Sequence, residues 1–104
     1  MTEAVKADQE KSRVELIPFV ALERIGEVLA YGAKKYSRDN WRQGSGLAWT
    51  RLLGAALRHL YAWGRGENAD PETGYSHLAH AACCVVFLLA YENEGGGNDD
   101  RWGN

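Results

Sequence analysis

An all-α domain is what this chain predicts: a bundle of three main helices at about residues 18–36, 48–64 and 75–92. Apolar residues recur at three- and four-residue steps through each stretch, the signature of an amphipathic helix. No segment carries a convincing period-two strand pattern, although Arg13–Ile17 suits a short extended piece. Glycines punctuate the gaps, at Gly44 and Gly46 and again at Gly64 and Gly66.

The 104 residues fit one domain, and the net charge of −2 gives no basic footprint for a nucleic-acid polymer. The chain has no apolar run of membrane-spanning length, and the polar Met1–Lys11 is unlike a signal peptide. Residues 1–12 read as a flexible N-terminal segment, 13–93 as the helical domain and 94–104, with its run of glycines, as a flexible tail.

In the first helix, Leu22, Ile25, Leu29, Gly32 and Tyr36 form the apolar stripe. Pro18 suits its first position, and Gly26, Ala30 and Ala33 form a second stripe of small residues. Lys34 and Lys35 fall in its last turn, where positive charge complements the helix dipole. The loop Ser37–Gly46 holds Asp39, Asn40 and Trp41, and a tryptophan there is expected to fold back onto the core.

In the second helix, Leu52, Ala55, Ala56, His59, Leu60 and Trp63 share a face. The third helix has Ser76 as an acceptable N-cap and a stripe of His77, His80, Cys84, Phe87 and Tyr91. Leu78, Ala81, Ala82, Val85, Val86, Leu88 and Leu89 cover most of its remaining surface. A helix apolar nearly all round must be central or covered by a partner, so a homodimer or higher homo-oligomer is expected. Cys83 and Cys84 are adjacent on this helix, point about 100° apart and cannot readily bond to each other. They read as reduced core thiols, which places the protein in the cytoplasm.

All three histidines lie between Arg58 and His80, with Glu67, Asp70 and Glu72. Two helices joined by a short loop run roughly antiparallel, so these groups gather at one end of a hairpin. His77 and His80, at i and i+3, share a helix face and can converge on one ligand. With Glu67 or Asp70 they would make a mixed imidazole–carboxylate site for a divalent metal, Mg²⁺ or Mn²⁺, with Zn²⁺ an alternative. The plainer reading is two polar core histidines bonded to loop groups. Cys84 lies two turns, about 10 Å, past His77 and cannot share a metal with it.

Glu67-Asn68-Ala69-Asp70 has the Glu-x-x-Asp spacing, but Gly66 before it and Pro71 after it put it in a turn. There it either binds a metal or is a solvated loop whose Asp70 or Thr73 caps the third helix. Glu67, Asp70 and His59 are the candidate catalytic residues. Lys34, Lys35 and Arg58 are candidates for holding phosphate, and Tyr36 and Trp41 for stacking on a base. The bland alternatives are dipole complementation by the lysines, an Arg58 ion pair with Glu67 or Asp70, and aromatics that only anchor loops. Glu23 and Glu27 are a further carboxylate pair on the first helix, better read as a surface feature.

Several blocks together resemble a known family: Arg13-Val14-Glu15-Leu16-Ile17-Pro18, Tyr31-Gly32-Ala33-Lys34-Lys35-Tyr36, Asn40-Trp41, Arg58-His59, Gly66 through Gly74, and Ser76 through Cys84. The family is named for the N-terminal domain of a phage dATP/dGTP diphosphohydrolase. The resemblance covers roughly residues 11–92. It implies hydrolysis of (d)NTP phosphoanhydrides, a nucleotide ligand and a divalent metal. The named enzyme is similar in turn to the MazG-type all-α pyrophosphohydrolases, which hold Mg²⁺ with Glu-Glu-x-x-Glu and Glu-x-x-Asp on two helices. Glu23 and Glu27 have a different spacing, and Glu67-x-x-Asp70 is followed by two histidines. The alternative expectation is a non-enzymatic phage protein that sequesters a nucleotide or binds a host factor.

Overall fold

The computed structural model describes residues 11–103. They form three α-helices: α1 (Phe19–Lys35), α2 (Trp49–Gly64) and α3 (His77–Glu94). Short 3₁₀ turns at Val14–Leu16 and Asn40–Arg42 precede and follow α1. The described residues contain isolated bridges but no strand, so the all-α expectation stands. No described helix is long and apolar enough to cross a membrane.

Pro18 sits one residue before α1, as its N-cap rather than its first residue. Ser76 caps α3 as expected, its hydroxyl accepting the Leu78 N–H at 3.1 Å. Neither Asp70 nor Thr73 takes that role.

α3 packs against both other helices. Ile25 meets Cys83, whose thiol lies 3.5 Å from the Ile25 carbonyl, and Tyr31 meets Tyr75 edge-on with centroids 6.1 Å apart. Position rises along α1 as it falls along α3, so the two are antiparallel. Val28, Ala79 and Cys83 form the buried centre, with Ile25, Leu29 and Tyr75 against it. Both cysteines are free thiols.

Since α2 also runs antiparallel to α3, the 36–48 connection must travel the length of the domain. Trp41 anchors it, stacking on Phe87 with centroids 4.6 Å apart and lying beside Tyr91. The buried Tyr91 hydroxyl donates to the Trp41 carbonyl and accepts the Leu47 N–H at 3.0 Å.

Residues 94–104 were expected as a flexible tail; residues 96–101 of this stretch fold back on the start of α2. Asn98 exchanges backbone hydrogen bonds with Leu47 and Trp49, and both Asp100 oxygens accept from Thr50. Gly97 makes this approach feasible: with φ +66°, a Cβ there would lie 2.7–2.8 Å from Trp49, Leu47 and Tyr91. The expected flexibility of 1–12 concerns residues that, up to position 10, lie outside those described.

Much apolar surface stays open. Leu22, Leu60 and Trp63, read as core-facing, are 44–45% exposed, and Tyr36 is exposed too. On α3, Leu78, Val85, Val86 and Leu89 face outward. Three helices offer too few neighbours to cover a helix that is apolar on every side.

Candidate functional site

The hairpin corner between α2 and α3 is tied by its own backbone. Gly66 (φ +100°) closes the end of α2, and Glu67 N–H reaches back to the Ala62 carbonyl at 3.1 Å. Asp70 N–H donates to the Tyr75 carbonyl and Gly74 N–H to the Asp70 carbonyl, at 2.8 and 2.7 Å. His77 N–H donates to the Asn68 carbonyl at 2.9 Å. These bonds fix Glu67, Asp70 and Thr73 against the first turn of α3.

His77 lies at the centre, only 5% exposed. Its Nε2 lies 2.6 Å from Glu67 Oε1 and its Nδ1 2.9 Å from His59 Nδ1. A carboxylate can only accept, so Nε2 of His77 carries a proton, and in the tautomer with that single ring proton Nδ1 is the acceptor. His59 must then donate from its own Nδ1. The result is a wire, His59 to His77 to Glu67, crossing from α2 to α3 to the loop.

His80 stacks on His59 with centroids 4.5 Å apart and planes 8° from parallel. Its Nε2 is hydrogen-bonded to Thr73 Oγ1 at 2.8 Å. Asp70 Oδ1 accepts the Glu72 N–H at 2.8 Å, while Oδ2 faces His59 Nδ1 and His80 Nε2 at 3.9 Å each. Burial is the main reason that His59 and His80 protonate below the usual histidine range; for His59 the neighbouring His80 adds to this, and for both Asp70 opposes it. Both rings are therefore neutral and have lone pairs to offer at neutral pH.

Ligand atoms of His59, Asp70 and His77 all lie within 4.8 Å of one another. The structure thus brings together His59, Glu67, Asp70, His77 and His80, but in an arrangement the sequence did not specify. His77 and His80 were read as able to converge on one ligand; in the structure His77 Nδ1 meets His59 and His80 Nε2 meets Thr73. Thr73 was read only as a cap candidate. A hydroxyl seven residues before His80 was the one available sign of its role.

The expected phosphate and base contacts are less gathered. Lys35 reaches the corner, with Nζ 3.9 Å from Glu72 and 5.2 Å from the Tyr36 ring centroid. A hydrogen bond to Tyr36 is the main cause of its raised pKa. Lys34, Tyr36 and Arg58 are exposed, and Arg58 forms no ion pair among the described residues. Trp41 is not at the corner. It sits on Phe87 and Tyr91, and His77 to Tyr91 spans about 21 Å of helix. Glu27 pairs with Arg24 at 3.2 Å on the exposed side of α1.

Comparison with known proteins adds a family. The family model described as "dATP/dGTP diphosphohydrolase, N-terminal" matches residues 1–101. A Salmonella phage PMBT28 protein named dATP/dGTP diphosphohydrolase is 39% identical over 97 residues, which cover 93% of this chain and 32% of that protein. The chain thus spans about a third of that relative's length. No solved structure matches it.

Proposed function

The chain belongs to the dATP/dGTP diphosphohydrolase N-terminal family, and on that premise we propose that it hydrolyses the phosphoanhydride of a (d)NTP, with a divalent metal, at the α2–α3 corner. The observation that carries this reading is the convergence of three histidines and two carboxylates in one half-buried cluster. The metal, when bound, would polarise a phosphoryl oxygen and offset the charge that develops on the leaving phosphate.

The chain's own groups have distinct tasks. Lys35, which reaches the corner beside Glu72, holds a phosphate oxygen there. Water attacks phosphorus, the anhydride P–O bond breaks, and its electron pair leaves on the bridging oxygen. The water's proton passes to the Glu67 carboxylate, which is half exposed at the corner. Glu67 keeps His77 in one tautomer throughout.

The direct test uses the full chain with dATP or dGTP and Mg²⁺, Mn²⁺ or Zn²⁺, followed by assays for phosphate and pyrophosphate. Release of either supports the reading, and no turnover of any nucleotide with any of these ions overturns it.

A second reading rests on the chain spanning 32% of the relative that carries the enzyme's name. In that reading this domain binds the nucleotide without cleaving it. Thermal stabilisation by dATP or dGTP without turnover would favour it. The open apolar face of α3 supports a homo-oligomer in either case. Light scattering during size-exclusion chromatography tests that, and a monomer mass at micromolar concentration refutes it.

A further inference from the structure

We propose that His59 Nδ1, His77 Nδ1 and Asp70 Oδ2 are the ligands of one metal site that selects a borderline ion such as Zn²⁺ over Mg²⁺, with Glu67 positioning His77 from behind. The inference rests on the hydrolase reading only for its location, since the argument is one of coordination geometry.

Two unprotonated ring nitrogens repel each other, so a pair at 2.9 Å must share either a proton or a cation. Nitrogens bound to one Zn²⁺ at about 2.0–2.1 Å lie about 2.8–3.4 Å apart for angles between right and tetrahedral. The His59–His77 separation falls in that range. An ion there replaces the shared proton and needs no movement of either helix.

Asp70 supplies the third ligand. Its Oδ1 is held by the Glu72 N–H, which leaves Oδ2 facing the rings, 3.9 Å from His59 Nδ1. A modest rotation of the carboxylate closes the remaining gap. Glu67 is then an outer partner: its bond to His77 Nε2 at 2.6 Å makes the carboxylate–histidine–metal arrangement that fixes ring orientation and strengthens the ligand nitrogen. His80, with Nε2 on Thr73, stacks against His59 and steadies its plane.

The donor set fixes the class of ion. Mg²⁺ prefers oxygen ligands and near-octahedral geometry, whereas two imidazoles and a carboxylate suit Zn²⁺ and Co²⁺. Three protein ligands leave further positions open for water or a phosphate oxygen.

The test is calorimetric titration of the metal-free full chain with Zn²⁺ and separately with Mg²⁺, backed by the visible spectrum of the Co²⁺-loaded protein. A single zinc site, bound at least about 100-fold more tightly than Mg²⁺, is expected. His59→Gln and Asp70→Asn, with helical content checked by circular dichroism, should abolish that site and the Co²⁺ bands. Glu67→Gln should keep one site and weaken it about 10–100-fold. No zinc binding by the wild-type chain, or zinc binding that survives both ligand substitutions, overturns the assignment. Zinc binding without nucleotide turnover supports this site and refutes the hydrolase reading. Turnover that persists in His59→Gln with the zinc site still bound refutes this ligand set and leaves the hydrolase reading in place.

Discussion

The Nδ1 atoms of His59 and His77 lie 2.9 Å apart, joining the last turns of α2 to the first turn of α3. The contact exists because the loop between them is tied so tightly that the two helices meet at the corner. It turns two separate histidines into one unit with Glu67 behind it.

Glu67 should matter to stability as well as to the site. Its carboxylate is the partner of Nε2 on a histidine that is 5% exposed. Glu67→Ala leaves that buried N–H unsatisfied, at a cost of about 1–3 kcal/mol. Urea denaturation of the metal-free protein should show it, with Glu67→Gln milder because its amide oxygen still accepts. Equal stability of wild type and Glu67→Ala would contradict the wire.

Tyr91→Phe removes the hydroxyl that joins α3 to both the Trp41 carbonyl and the Leu47 N–H. A loss of about 1–3 kcal/mol is expected, because two backbone groups lose a partner in a partly buried place. Amide exchange at Leu47 should accelerate more than exchange in the middle of α2. A uniform change across the helices would count against a local anchor.

Asp100 ties the C-terminal segment to the start of α2. Its hydrogen bonds from the Thr50 hydroxyl and N–H hold its carboxyl below the ordinary 3.8. A depressed folded-state pKa contributes stability above the unfolded value, and that contribution is lost as pH falls through the folded pKa. Asp100→Ala should therefore lower Tm at pH 7, and the difference from wild type should shrink below about pH 3.8. A gap that stays constant at acid pH would show that Asp100 acts by packing alone.

Burial pushes the Cys83 thiol up to about 12 from an ordinary 9.0. The folded state thus prefers the neutral thiol. Its stabilising effect is complete below pH 9.0 and is lost as pH rises toward 12. At pH 8 the folded protein should label slowly at Cys83 with iodoacetamide, and rapidly after denaturation. Fast labelling of the folded chain, read by peptide mass, would contradict the packed position.

Local sequence was enough for the helices because each depends on its own neighbours. The three-and-four spacing of apolar residues, the glycines after Trp63 and the Ser76 cap located α1, α2 and α3 within a few residues. The corner was also legible as a place, since a short loop must return the chain antiparallel. What sequence could not give was the far partner of each polar group.

The pairing of His59 with His77, of His80 with Thr73, and of Asp100 with Thr50 was decided by tertiary structure. Trp41 folds back onto the helices as a large aromatic in a polar loop is expected to, and packing chose Phe87 and Tyr91 as its partners. Helical periodicity says which residues share a face of one helix. It says nothing of the rotation and offset of a neighbouring helix, and those set which nitrogen meets which nitrogen across the gap. The residue types at the corner were thus fixed by the chain alone, and their partnership by the way α2, α3 and the loop pack.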